Sequence, residues 1–396
     1  MSITTRVKKV LTGNHATAYA VMQARVDVIP AYPITPQTTI VEKLDEFIEN
    51  GLLDASMIRV ESEHSAMAAA IGASAAGART YTATSSHGLL YMYENLWWAA
   101  NARLPIVATF VTRAIGPPWN IWSDHQDIFT LRDAGWILFM AKNAQEAYDL
   151  TIQAFKIAEN PNIRLPVGIG YDGFYISHTS EPVEMLAQDE VDGFLPDKSN
   201  IKPLLDPENP FTIGNLPDAK FNYLIRRNMW ASIEDSLEYI KKVGYEYYLL
   251  TGRNYGSLVD AYQCDDAETI FVSIGAMANE GIVAVDRLRS KGDRVGHLNI
   301  RLLRPYPEDE IIDTISNAER VIVFSRAISM GKGGILFTDL VDSIYRHRLD
   351  IDVYDVVVGL AGVEVVDNDF IKLYNDVKDG IFDKRETIFL MGGRYV

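Results

Sequence analysis

Residues 26–47 read VDVIPAYPITPQTTIVEKLDEF. The apolar run Val26–Pro30 predicts a buried strand, and Ile40, Val41, Leu44, Phe47 and Ile48 fall on one face of a helix with 3.6 residues per turn. Thr35 lies at the junction. It has the chemistry of a helix N-cap, and Pro36 suits the first helical position, which needs no backbone donor. A second reading stands beside this one. In an open α/β sheet a strand-to-helix turn faces the ligand crevice, where free N–H groups and a hydroxyl can hold a carboxylate or phosphate.

The same alternation continues on both sides. A helix from about Asn14 precedes the stretch, and MIRV, RTYTATS, PIVATFVT, WILFMA and PVGIGY read as strands separated by SAMAAAIGASAAG, GLLYMYENLWWAANA and AQEAYDLTIQAFKIAE as helices. Such alternation predicts an α/β fold with a doubly wound parallel sheet over residues 1–185. A smaller α/β domain is expected over 268–396, with strands TIFVSIG, RVGHLNIRLL, RVIVFSR and IDVYDVVVG. Residues 186–267 carry Asp, Asn and Pro clusters and then a helical stretch with Trp230, Ile233, Leu237 and Ile240. This segment reads as a connecting arm, too long for an idle loop and suited to contact with a neighbouring domain or subunit.

Composition bounds the function. A chain of 396 residues with 48% hydrophobic content can bury large cores. Its formal charge of −16 argues against nucleic acid, since phosphate binding needs concentrated Lys and Arg. No apolar run reaches membrane-spanning length and the N-terminus lacks a signal-like core, so a cytoplasmic protein off the membrane is expected. Cys264 is the single cysteine, and one thiol cannot build a disulfide framework, a Cys-type zinc site or an iron–sulfur cluster. Any electron-transfer cluster therefore belongs to another subunit.

Three places carry candidate chemistry. Thr35 is the first. The second is VESEHSAMAAAIGASAAGA, where Glu61, Glu63 and His64 precede a helix of small residues that permits close packing. A carboxylate there is either a helix cap or, in the crevice, a group that holds a ring nitrogen. The third is VTRAIGPPWNIWSDHQD. Arg113 at a strand's end can grip a carboxylate in bidentate fashion or pair with Asp124 or Asp127. The DHQD residues read as hydrogen-bonded scaffolding in preference to a metal site, and no metal is expected on this chain. Ser85, Ser86 and His87 sit on a strand-to-helix turn that can line the same crevice, or serve the turn alone. GKGG at 331–334 lacks the rest of a P-loop, SIGAMANEG misses the dinucleotide fingerprint, and no G-x-S-x-G elbow occurs.

Taken together, AYPITPQT, ESEHSAMAAAIGASAAGART, TSSHGLLYMYENL, VTRAIGPPWNIWSDHQD and NIRLLRPYPEDEI resemble the alpha subunit of 2-oxoacid:ferredoxin oxidoreductases, over nearly the whole chain and in the family's order. The resemblance implies a thiamine-diphosphate enzyme that decarboxylates a 2-oxoacid, passes electrons to ferredoxin or a similar acceptor and forms acyl-coenzyme A with coenzyme A as co-substrate. It implies a pyrimidine-side thiamine domain followed by a transketolase-C-terminal-like domain. Partners are implied too: a beta subunit with the diphosphate and Mg2+ site, and gamma and delta subunits, the latter ferredoxin-like, with [4Fe-4S] clusters carried on partner chains. Residue by residue, Glu63 matches the glutamate that bonds the aminopyrimidine ring nitrogen, with Tyr32 and Pro33 beside the cofactor. Thr35 and Arg113 match the groups at the substrate carboxylate. Trp119 departs from the smaller aliphatic residue of pyruvate-type members, and the PPW version resembles the branched-chain branch. A branched or aromatic 2-oxoacid is the expectation, with pyruvate as the alternative. A transketolase or 2-oxoacid dehydrogenase component, or a non-catalytic assembly subunit, are the competing readings.

Overall fold

A computed structural model describes residues 3–210, 212–255 and 257–396. Its first sheet has seven strands in the order 302–304, 137–140, 167–172, 106–112, 80–84, 28–31, 56–59. Six are parallel. Runs such as Ile106–Thr112 and Ile137–Met140 are buried at every position, as strands covered on both faces must be. The helix Glu63–Ala75 packs on strands 28–31 and 80–84 through Ala66, Met67, Ala70, Ile71 and Ala75, where small side chains let helix and sheet approach closely.

The strand 28–31 connects outward to 56–59, whereas 80–84 connects the other way to 106–112. Chain direction therefore switches between two neighbouring parallel strands, which opens a crevice at their C-terminal ends. The turns after 28–31, 80–84 and 106–112 all emerge on that side.

The second sheet follows the order 394–395, 387–391, 352–358, 320–325, 269–273, 295–300, 259–262, with five parallel strands between two antiparallel edges. One expected element divides. RVGHLNIRLL reads as a single strand, but Val295–Ile300 lies in the second sheet while Leu302–Arg304 crosses and pairs antiparallel with Ile137–Met140 of the first. Arg301, between them, is 1% exposed and donates to Glu146 Oε1 at 2.8 Å. The apolar core is continuous across the two sheets, with Ile270, Val272, Leu298 and Ile300 in one cluster with Val107 and Ile137.

Other boundaries differ from the sequence reading for local reasons. The helix expected from Pro36 is Thr38–Glu49, because residues 35–37 form a turn with Gln37 at the N-cap. Thr35 is therefore not the cap. GLLYMYENLWWAANA is two helices, Ser86–Tyr91 and Tyr93–Asn101, broken at Met92. The helix expected after Glu63 already contains it, with Ser62 as N-cap accepting from Ser65 N. Residues 219–251 form one long helix, and Val7–Thr12 pairs antiparallel with Ser180–Met185.

Candidate active site

Glu63 opens its helix at the crevice and is 6% exposed, yet its carboxylate accepts no hydrogen bond from any described side chain or backbone group. Its neighbour is Gly88, where an added Cβ would stand 2.5 Å from Glu63 Oε1 and closer still to Thr84 Oγ1. Thr84 Oγ1, Ser85 Oγ and Arg113 Nε are buried and lack partners among the described residues. Buried polar atoms are nearly always paired, so these three unpaired atoms near Glu63 mark this end of the crevice as the candidate site.

Arg113 follows strand 106–112 and is 4% exposed. Its guanidinium donates to the carbonyl of Thr35 at 2.6 Å and to His87 Nδ1 at 3.2 Å. The turn carrying Thr35, the turn carrying His87 and the strand carrying Arg113 are thereby tied together. Burial pulls the guanidinium pKa below its usual value, and the charges of Asp127 and Glu63 oppose that shift. Trp119, 46% exposed, lies 4.4 Å from the guanidinium and packs its ring against His87 at 5.0 Å between centroids, edge to face.

The alternative that Arg113 pairs with Asp124 or Asp127 does not hold for its side chain. Its backbone N–H donates to Asp127 Oδ2 at 3.0 Å, as Ser86 N–H does at 2.9 Å, while Ile128 N–H donates to Oδ1. Burial pushes the Asp127 carboxyl up to about 7, against these three donors. Asp124 caps the turn at Gln126 N and reaches Ala361 N of the second unit. Each member of the DHQD group is thus bonded to backbone or to another element. Among the described residues no group of three or more His, Cys, Asp or Glu side chains could hold a metal ion.

The site residues named from sequence do not all meet. Thr35, Arg113 and Trp119 come together, and the charge of Glu63 reaches Arg113. Tyr32 and Pro33 are exposed on the same turn as Thr35, with the Tyr32 carbonyl accepting from Gln37, but no hydrogen bond links either to Glu63 or Arg113. Asp127 takes the scaffolding role read for DHQD, whereas Thr84 and Asp172 have no place in the sequence reading of the site. Thr84 ends a strand and gives no signal of its own, and Asp172 acts on residues 47 to 154 positions away.

The family description pyruvate flavodoxin/ferredoxin oxidoreductase, thiamine diphosphate-binding, matches residues 19–244, and pyruvate:ferredoxin oxidoreductase core domain II matches 267–370. The chain belongs to the 2-oxoacid:ferredoxin oxidoreductase family. It is 43% identical over 372 residues to the ketoisovalerate oxidoreductase subunit VorA of Pyrococcus abyssi, covering 94% of both chains. It is 41% identical to the pyruvate synthase subunit PorA of Methanothermobacter thermautotrophicus, covering 91% of this chain and 92% of that one. Among solved structures, a 2-oxoglutarate:ferredoxin oxidoreductase from Magnetococcus marinus, bound to 2-oxoglutarate, coenzyme A and succinyl-CoA, superposes with a TM-score of 0.68 at 17% identity. That match covers 95% of this chain and 65% of the other, and shows a shared fold. A split-gene transketolase gives a TM-score of 0.51 at 12% identity, covering 92% and 93%. This family member is a 2-oxoacid oxidoreductase subunit with a thiamine-diphosphate-binding domain, and its named relatives are parts of multi-subunit enzymes. Among its described residues no helix is long and apolar enough to cross a membrane.

Proposed function

We propose that this chain is the alpha subunit of an enzyme that oxidatively decarboxylates a branched or aromatic 2-oxoacid to acyl-coenzyme A and CO2, with Glu63, Thr35 and Arg113 as its catalytic set. The observation that carries the reading is the buried, unbonded Glu63 carboxylate beside the orphaned Thr84 Oγ1. These residues fit the pyrimidine end of thiamine diphosphate. When bound, the cofactor supplies the nucleophilic carbon and the electron sink that decarboxylation needs.

The chain's own groups do the rest. Glu63 holds a ring nitrogen and a proton at its Oε atoms, and Tyr32 and Pro33 border the ring. Arg113 attracts the substrate carboxylate to the mouth of the crevice, where Thr35 adds a hydroxyl, so the reacting carbonyl is oriented before attack. Trp119 walls the side-chain pocket. Burial around Arg113 keeps water from the departing carboxylate.

Within the proposal, residues 1–185 form the thiamine domain, 186–267 the connecting arm and 268–396 the transketolase-C-terminal-like domain, with strand 259–262 of the arm completing the second sheet and strand 302–304 lent to the first. A beta subunit supplies the diphosphate and Mg2+ site, and gamma and delta subunits carry the [4Fe-4S] clusters, since Cys264 is buried and alone. Electrons pass to ferredoxin or a similar acceptor.

The test is isolation of the complex from its host under argon, with identification of co-purifying chains, thiamine, iron and sulfide. Turnover of pyruvate, 2-oxoisovalerate and phenylglyoxylate with coenzyme A is measured on the same sample. Cysteine-rich partners and coenzyme A-dependent dye reduction with a preference for the bulky acids are expected, and Glu63→Ala should lower turnover by about 100-fold or more. Activity without iron–sulfur partners would favour a transketolase-like or dehydrogenase component. Strong preference for pyruvate overturns the assignment to Trp119, and unchanged turnover in Glu63→Ala points to an assembly subunit.

A further inference from the structure

We infer that His87 is a positioning residue that sets the direction of the Arg113 guanidinium and couples it to the loop carrying Trp119. The inference rests on the proposed role of Arg113 at the substrate carboxylate. His87 Nδ1 accepts from Arg113 Nη2 at 3.2 Å, while its Nε2 faces the Gly116 backbone, with the Gly116 carbonyl in hydrogen-bond contact and Gly116 N at 3.1 Å. Acceptance at Nδ1 places the single ring proton of the neutral imidazole on Nε2, where it serves the Gly116 carbonyl, so of the two Gly116 groups at Nε2 the ring bonds the carbonyl and leaves the Gly116 N–H unbonded by it.

The ring therefore bridges two parts of the site. On one side Arg113 has its other terminal nitrogen fixed on the Thr35 carbonyl, so the His87 bond removes the remaining rotational freedom of the planar fork. On the other, Gly116 begins the loop of Pro117, Pro118 and Trp119, and Trp119 returns to pack on both His87 and Arg113. A closed circuit of Arg113, His87, Gly116 and Trp119 results. Its base is held by Asp127, which accepts from the backbone of both Ser86 and Arg113. Arg113 Nε is buried without a partner among the described residues, so the circuit fixes the guanidinium through its two terminal nitrogens alone.

The experiment uses the assembled complex with pyruvate and 2-oxoisovalerate as probes, and compares His87→Leu, His87→Gln and Arg113→Gln. His87→Leu removes both polar contacts and is expected to raise KM for the preferred acid about tenfold with a much smaller fall in kcat, the pattern of weakened substrate binding. His87→Gln, whose amide can accept from Arg113 and donate to Gly116, is expected to stay within about threefold of wild type. Unchanged KM in His87→Leu, or a Gln variant no better than Leu, overturns the inference. Should His87→Leu fail to assemble, His87→Asn, too short to span Arg113 and Gly116 together, takes its place with the same expectation. A rise in KM for Arg113→Gln with no rise for the His87 variants overturns the role of His87 alone. No effect from Arg113→Gln overturns the reading of Arg113 and this inference with it.

Discussion

Glu63 can remain buried without a hydrogen-bond partner only because Gly88 leaves room beside it and the crevice lies open in front. A methyl group at Gly88 would press on both Glu63 Oε1 and Thr84 Oγ1. Gly88→Ala is expected to displace the carboxylate and lower the apparent affinity for thiamine diphosphate by about tenfold, a cost of about 1.4 kcal/mol. Circular dichroism should stay native, because Gly88 lies in a short helix at the crevice and outside the sheet. A cofactor titration of the variant complex checks it. The places of Thr35, Glu63 and Arg113 near strand ends were legible in the sequence because an apolar run precedes each, while their roles belong to the proposed function. Thr35 was read as a helix cap on the same local grounds, and there the reading failed. The chain turns once more before the helix starts at Thr38.

At the scale of elements, one carboxylate holds two strand ends in register. Asp127 bonds the backbone at Ser86, after strand 80–84, and at Arg113, after strand 106–112. Its carboxyl is raised from 3.8 to about 7 by burial. Below pH 4 it is protonated in folded and unfolded chains alike. Between about 4 and about 7 the unfolded chain releases the proton while the folded chain keeps it, so this group's contribution to stability is lost as pH rises. Wild type should lose stability relative to Asp127→Asn through that window, at up to about 1.4 kcal/mol per pH unit, and the difference should level off above pH 7. Denaturant unfolding of both proteins at a series of pH values measures it. A flat difference would mean that the three N–H donors keep Asp127 ionised throughout.

At the scale of the whole molecule, the two sheets are locked by side chains that no local pattern announces. Asp172 ends strand 167–172 and is 0% exposed. It accepts from His125 Nε2 at 2.8 Å, Arg326 Nη1 at 2.5 Å and the backbone N–H of Ala276 at 2.8 Å. Burial alone would raise its pKa, but His125 and Arg326 outweigh it and hold the carboxyl well below the usual carboxylate range. The Ala276 bond sets the first sheet's own carboxylate at the start of the helix Met277–Arg289. Asp172→Asn leaves Arg326 buried without its counter-charge and should cost about 3–5 kcal/mol. Calorimetry is expected to show the single unfolding transition broadening or splitting as the units uncouple.

The sequence by itself determined the alternating architecture, the crevice at the strand ends and the residue types that line it. Those features follow from periodicities of two and 3.6, and from chemistry carried within a few residues of each transition. Only the tertiary structure decided how Arg113 is aimed, that Leu302–Arg304 leaves its own sheet for the other, and that Asp172 and Arg326 meet across 154 positions. Those outcomes depend on which distant groups are desolvated together. A buried charge must find its partner wherever the packed chain brings one, and no local spacing encodes that choice.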